Sequence, residues 1–95
     1  MTLTSDESLL YALPREDLQR HARAVQQYAD EASRAWTTFT VAVLMLPPQS
    51  SVETVMAAAR AAGLADRCRE IWRQMLRADE LVRATRETLR RRGLA

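Results

Sequence analysis

The sequence contains no lysine, only two glycines, three prolines and one cysteine among its 95 residues. With so little glycine and proline the chain has few places to turn, and a fold of many short strands would need more of them. A single cysteine excludes an intramolecular disulfide framework and is typical of proteins in a reducing compartment. These scarcities favour a few long helices in one domain.

All fourteen basic residues are arginine, and against twelve acidic residues they leave a formal net charge of +2. The exclusive use of arginine indicates a GC-rich genome, so we expect a bacterial protein. The first residues, MTLTSDESLL, lack the basic start and apolar core of a signal peptide. The apolar run over 39–46 is shorter than the roughly 20 residues that cross a bilayer. We therefore expect a cytoplasmic protein with no membrane partner.

A short helix is predicted over residues 5–12. Thr4 and Glu7 have the spacing of a capping box, which satisfies backbone N–H groups at a helix start. Pro14 follows, and proline interrupts the hydrogen bonds of a helix interior. This helix should therefore end before Pro14, with a new helix beginning after it.

A long helix is predicted over residues 15–46. Apolar or small residues recur at alternating spacings of four and three, which is the pattern of a coiled-coil stripe rather than of a strand. The stripe continues through the β-branched stretch TTFTVAVLML, so the helix should continue there until Pro47 and Pro48 end it. The stripe consists of Leu18, Ala22, Val25, Ala29, Ala32, Trp36, Phe39, Val43 and Leu46.

A second long helix is predicted over residues 51–92, after a turn at 47–50. Ser50 and Glu53 form another capping box, and Gly93 is a natural helix end. The helix carries a stripe with the same three-four spacing throughout. The stripe consists of Thr54, Ala57, Ala61, Leu64, Cys68, Ile71, Met75, Ala78, Val82, Thr85 and Leu89.

Gly63 lies inside this second helix, where glycine costs about 1 kcal/mol. Because the stripe keeps one phase on both sides of Gly63, the pattern favours a continuous or gently kinked helix over a break. A DNA-binding helix-turn-helix would need the break, and Arg69 stands where that motif requires a buried aliphatic residue. A break at Gly63 remains the alternative.

Two helices joined by four residues fold back antiparallel. Folding about the turn at 47–50 pairs residues whose numbers sum to 96 or 97, so that large side chains face small ones, as with Trp36 opposite Ala61. The predicted fold is all-α: an antiparallel two-helix hairpin with a short N-terminal helix, forming a single helical domain over residues 1–95.

The same register places charged residues of opposite sign across the hairpin. Asp30 and Glu31 of the first helix would face Arg67 and Arg69 of the second. We interpret these charges as a solvated, mutually complementary surface rather than as a catalytic group.

The hairpin leaves apolar side chains outside its own stripe, and a continuous uncovered stripe needs a partner. A second copy is the simplest partner, giving a homodimeric antiparallel four-helix bundle. Two alternatives are that a different protein binds this stripe or that the N-terminal segment covers it. The predicted interface residues are Val41, Leu44, Met45, Val55, Ala58, Ala62, Ala65, Trp72 and Leu76.

No residue pattern indicates catalysis. His21 is the only histidine and has no neighbouring cysteine, so a metal site is not expected. Cys68 lies on the predicted stripe and should be a buried thiol rather than a reactive one. With no glycine-rich phosphate loop either, we expect no enzyme activity, no cofactor and no small-molecule substrate.

One charged cluster stands out in VRATRETLRRRG, where only Glu87 opposes five arginines. Such a helix end can bind phosphates, although arginines there also complement the helix dipole. We predict a protein–protein interaction module acting as a regulator, adaptor or chaperone. The alternatives are a nucleic-acid-binding accessory protein and a structural subunit of a larger assembly. The arginines are Arg83, Arg86, Arg90, Arg91 and Arg92.

In length and predicted shape the chain resembles the secreted WXG-family proteins, and also the small helical antiactivators and secretion chaperones of bacteria. The turn at 47–50, Pro-Pro-Gln-Ser, lacks the Trp-x-Gly of the WXG family. The resemblance is one of shape, so it implies a helical hairpin and no particular function.

Overall fold

A computed structural model of the chain describes residues 12–94, which contain helices and no strand. Helix α1 spans Arg15–Thr38 and continues as a π-helical segment, Phe39–Val43. Helix α2 spans Val52–Ala61, and helix α3 spans Ala65–Arg91. The predicted all-helical class is confirmed. The helix predicted over 5–12 falls, apart from its last residue, outside the described range.

Helix α1 begins at the predicted residue. Pro14 precedes it with a φ of −55°, and its carbonyl accepts the first helical hydrogen bond from the N–H of Leu18 at 2.9 Å. The predicted stripe faces inward along the whole of α1. Its buried members, continuing into the π segment, are Leu18, Val25, Ala32 and Phe39.

The stripe changes phase in the π segment. A π turn closes by a bond to the carbonyl five residues back, as from Leu44 to Phe39 at 3.0 Å, and so holds more residues than an α turn. The predicted stripe position Val43 is therefore turned outward and is 51% exposed, while Thr40 is fully buried. The hydroxyl of Thr40 donates to the Trp36 carbonyl at 2.9 Å, which satisfies this buried polar group.

Both helix ends around the first turn differ by a few residues from the prediction. The first helix ends with the π segment rather than at residue 46. Met45 adopts a positive φ of 55°, and a right-handed helix cannot continue through such a residue. Ser51, not Ser50, caps α2 by accepting from the N–H of Thr54 at 3.2 Å. The hydroxyl of Ser50 instead donates to the Pro47 carbonyl within the turn.

The prediction of one helix over 51–92 is wrong, because the chain breaks at Gly63. Gly63 has a φ of 75°, a left-handed conformation that costs glycine almost nothing. Its N–H donates to the Arg60 carbonyl at 3.1 Å, and the N–H of Leu64 donates to the Ala59 carbonyl at 2.7 Å. This pair of bonds is the Schellman motif, which ends α2 and lets α3 start in a new direction.

The break changes which face of α2 is buried. Val55 and Ala59 are both fully buried in the core. The three stripe residues predicted before Gly63 are exposed instead, namely Thr54, Ala57 and Ala61. The predicted stripe holds only in α3, where Cys68, Ile71 and Ala78 are buried.

Helices α1 and α3 lie side by side and run in opposite directions. Near one end Arg92 donates to the Leu13 carbonyl, and towards the other the indole rings of Trp36 and Trp72 lie 5.0 Å apart between centroids. The numbers of the two tryptophans sum to 108 rather than to 96 or 97, so the predicted register and the Trp36–Ala61 pairing are wrong. A displacement of about eleven residues is about three helical turns, which keeps the same stripe facing inward.

The core lies where all three helices meet. Half-buried apolar side chains pack against it, namely Ala35, Trp36, Leu44, Leu46, Met56 and Leu64. Away from α2 the buried residues of α1 and α3 include Leu18, Val25 and Ala78. The buried residues of this central cluster are Phe39, Val55, Ala59, Cys68 and Ile71.

Gly63→Ala is expected to lower the free energy of unfolding by about 1 kcal/mol, because a β-carbon at this positive φ is strained. A β-carbon at Gly63 would meet no atom within 4 Å, so the loss should be conformational and not steric. Urea denaturation followed by circular dichroism measures it.

Gly93→Ala is the matched control. Gly93 also has a positive φ, of 70°, and open space around its β-carbon, but it follows the last helix. Gly63 joins two helices that both pack in the core, whereas no described helix follows Gly93, so this variant should lose less stability than Gly63→Ala. A Gly63→Ala protein as stable as the wild type would contradict the break described here.

Candidate protein-interaction surface

The nine residues predicted to form an interface do not share one open surface. Val55 is fully buried, because the break at Gly63 turns it into the core, so its assignment to an interface is wrong. Leu44 packs against the core, and Trp72 packs on Trp36. Ala58 and Ala65 are half-buried, and the exposed residues are Val41, Met45, Ala62 and Leu76.

Three large apolar side chains are exposed within five residues of the chain at the end of the first helix. Val41 is 43% exposed, Val43 51% and Met45 85%. We call these three residues the tip patch. Val43 was predicted to be buried, and it joins the patch because the π segment rotates it outward.

A groove between α1 and α3 begins at the tip patch. Its volume is about 420 Å³. Phe39 and Ile71 are almost fully buried beneath it, and Val43 contributes to both the groove and the tip patch. We call it the α1–α3 groove. Its lining residues are Glu31, Arg34, Ala35, Thr38, Phe39, Val43, Arg67 and Ile71.

The sequence did not indicate this groove, because its two walls are far apart in the chain and meet only in the observed register. Ala35 and Ile71 are apolar lining residues, but their positions relative to the two sequence stripes do not show that they meet. Ala35 lies outside the predicted stripe of α1, whereas Ile71 belongs to the stripe of α3. A prediction of the groove would have needed the displacement of about three turns between the two helices.

The groove is apolar at its floor and charged at its edges. Glu31 and Arg34 come from α1, and Arg67 comes from α3. The Glu31 carboxylate accepts a long hydrogen bond from Gln27 at 3.5 Å. Among the described residues Arg34 has no ion-pair partner, so a guanidinium at the groove is available for an incoming carboxylate.

The charge pairing predicted across the hairpin is not what forms. Arg67 pairs with Glu70 at 3.4 Å, and Arg69 pairs with Asp66, in both cases three residues away on the same helix. Asp30 accepts from Gln26, one turn earlier on α1. The register displacement shifts the two helices along each other, and these side chains pair within their own helices instead.

The arginines predicted as a possible phosphate site are mostly engaged within the chain. Arg83 pairs with Asp79 at 3.0 Å, and Arg92 donates to the Leu13 carbonyl. Arg86 lines a separate, smaller pocket of about 150 Å³ between α1 and α3. The five arginines therefore do not converge on a single open site.

Glu87 holds the last two arginines of α3. It accepts from Arg90, and from the Nε of Arg91 at 2.9 Å. The hydrogen bond from Arg90 lowers the pKa of Glu87, and Glu87 in turn raises the pKa of Arg90. The carboxylate therefore stays ionised and competes with any phosphate for these two guanidinium groups.

Neither a reactive thiol nor a metal site emerges from the described residues. Cys68 is buried, as predicted, and burial raises the pKa of its thiol above the ordinary 9.0. Residues 12–94 contain no group of three or more His, Cys, Asp or Glu side chains that could hold a metal ion. In the same range, no helix has both the length and the apolar character needed to cross a membrane.

Comparisons of the chain with models of protein families, with curated proteins and with solved structures found no match. Function is therefore inferred from the surfaces that this fold leaves open.

The Cys68 thiol should react slowly with Ellman's reagent in the folded protein and rapidly in urea, because it must be uncovered first. Its raised pKa means that the folded state holds the proton more tightly than the unfolded state. This contribution to stability is complete below the pKa of the unfolded thiol and is lost as the pH rises through the folded value.

Urea titrations between pH 7 and pH 10 measure this loss, and Cys68→Ala is the control that should remove this part of the pH dependence. Equal labelling rates in buffer and in urea would contradict the burial of Cys68.

Replacing Arg86, Arg90, Arg91 and Arg92 with Gln tests the alternative function. We expect the wild type to bind DNA or RNA no more tightly than the non-specific range of about 10⁻⁴–10⁻⁶ M. The Gln variant should keep its helix content by circular dichroism. Submicromolar, salt-sensitive binding by the wild type that the variant loses would favour the nucleic-acid alternative.

Proposed function

We propose that the protein is a non-enzymatic interaction module: an all-helical dimer that binds another protein, as a small regulator, adaptor or chaperone. The observation that carries this proposal is the tip patch, where three large apolar side chains lie exposed within five residues. Large apolar side chains that a folded protein leaves exposed near one another in the chain are candidates for a binding surface. A cytoplasmic setting fits the single, unpaired Cys68.

The backbone at Met45 supports the same proposal. A left-handed conformation costs a residue with a β-carbon roughly 1–2 kcal/mol, and glycine would avoid that cost. The chain nevertheless has methionine there, with 85% of the side chain exposed. Strained residues of this kind are typical of functional sites, and the flexible thioether of methionine suits an adaptable contact with another protein.

The character of the open surface favours a macromolecule over a small ligand. Sites for small molecules place a few fixed polar groups among apolar walls. Among the described residues no buried side-chain nitrogen or oxygen lacks a hydrogen-bond partner, so none is held ready to orient a ligand. The α1–α3 groove instead has flexible charged side chains at its edges, as at the rim of a protein interface.

Self-association is the simplest use of the open side of the α1–α3 pair. A second copy would add helices beside α1 and α3 and so complete a four-helix arrangement. Nucleic-acid binding has less support, because most of the arginines at the end of α3 already have partners within the chain.

Photo-crosslinking tests the proposed protein binding. Met45 is replaced by the photoreactive amino acid p-benzoylphenylalanine, and the protein is irradiated in cells that make it naturally. We expect a discrete crosslinked product with one other protein. The same replacement at Arg73, which is exposed on the outer side of α3, is the matched control and should give no such product.

A second substitution links the crosslink to the tip patch. Val41→Asp should abolish the Met45 product while leaving the helix content unchanged, because it puts a charge into an apolar contact. Identical products from positions 45 and 73, or no product from either, would contradict binding through the tip patch.

A further inference from the structure

We propose that the α1–α3 groove is the surface on which two copies of the chain pair, with α1 of one copy lying antiparallel along α1 of the other. This inference rests on the proposed self-association and specifies the surface that it uses. It replaces the predicted interface, whose residues are divided between the core and exposed positions.

The position of α2 shows on which side of the α1–α3 pair the groove opens. A small pocket between α2 and α3 is lined by Ala65 and Arg69, which therefore mark the side of α3 that α2 covers. Arg67 lies two residues from each of them, about 200° around the helix, and lines the α1–α3 groove. No residue of α2 lines this groove, so it opens on the side of the α1–α3 pair away from α2.

The charges at the groove are complementary to themselves. Glu31 and Arg34 lie three residues apart on one face of α1 and both line the groove. In a two-fold symmetric pair, if one residue faces another across the interface, the second also faces the first. With the axis between residues 32 and 33, Glu31 of each copy faces Arg34 of the other, and both ion pairs form together.

The same charges determine the direction of pairing. A parallel arrangement of two α1 helices would place Glu31 against Glu31 and Arg34 against Arg34, which is repulsive. The antiparallel arrangement replaces both repulsions by attractions. It also gives Arg34 the carboxylate partner that the described part of a single chain does not supply.

The groove is shaped to receive a helix. Ala35 and Thr38 have short side chains, which let another helix approach closely. Phe39 and Ile71 supply an apolar floor beneath them. With the axis between residues 32 and 33, the two ion pairs lie at the centre of the interface, and Ala35 and Thr38 of each copy lie farther from the axis.

Charge reversal tests this arrangement by sedimentation equilibrium. The wild type should be a dimer at tens of micromolar. Glu31→Arg and Arg34→Glu should each weaken self-association by more than about tenfold, because either change sets like charges against each other twice. Both positions are exposed, and circular dichroism checks that each variant is folded.

Mixing the two variants gives the decisive result. In a mixed dimer the two basic side chains at positions 31 and 34 of the Glu31→Arg copy face the two acidic side chains of the Arg34→Glu copy. An equimolar mixture should therefore form dimers that neither variant forms alone. The double variant Glu31→Arg/Arg34→Glu should also dimerise. Arg73→Glu changes the net charge as Arg34→Glu does but lies outside the groove, and it should remain dimeric.

A monomeric wild type, single variants that stay dimeric, or a mixture that stays monomeric would each overturn the inference. These outcomes can be distinguished from failure of protein binding, because the crosslink from Met45 reports on the tip patch. A monomer that still crosslinks through Met45 would refute the paired groove and leave a different protein as the partner.

Discussion

The left-handed turn at Gly63 is the constraint on which the rest of the structure depends. Its φ of 75° ends α2 and lets α3 leave in a new direction. Val55 can then pack with Cys68 in the core instead of continuing one straight stripe. Helix α3 meets α1 about three turns away from the simple hairpin register, as the contact of Trp36 with Trp72 shows. Because α2 covers one side of the α1–α3 pair, the groove on the other side stays open.

The sequence predicts which face of each long helix is buried better than it predicts the register of one helix against the other. The stripe from Leu18 to Phe39 and the burial of Cys68 follow from three-four periodicity, which reports directly on one helical face. The register does not follow, since a displacement of three turns presents the same stripe to the partner. The break was not predicted because residues 57–62 are all alanine apart from Arg60. With alanine on every face of the helix, the sequence does not show which face is buried.

The tip patch was predicted only in part, for a local reason, whereas the groove was not predicted at all, because it depends on the register of α1 against α3. Val43 continues the α-helical stripe in the sequence, but the π segment rotates it outward and buries Thr40 in its place. Threonine is tolerated there because its hydroxyl bonds to the carbonyl of Trp36, a possibility that hydrophobic periodicity does not register. Glu31 and Arg34 have an ordinary spacing in the sequence and gain significance only beside the apolar floor of the groove.

The central claim is that the break at Gly63 sets the register of α1 against α3 and so decides which surface remains for partners. Nuclear Overhauser effects from the indole protons of Trp36 test it most directly. With ring centroids 5.0 Å apart, strong cross-peaks to the indole of Trp72 are expected. Cross-peaks from Trp36 to the methyl group of Ala61, without any to Trp72, would show a continuous second helix in a simple hairpin and would contradict the account.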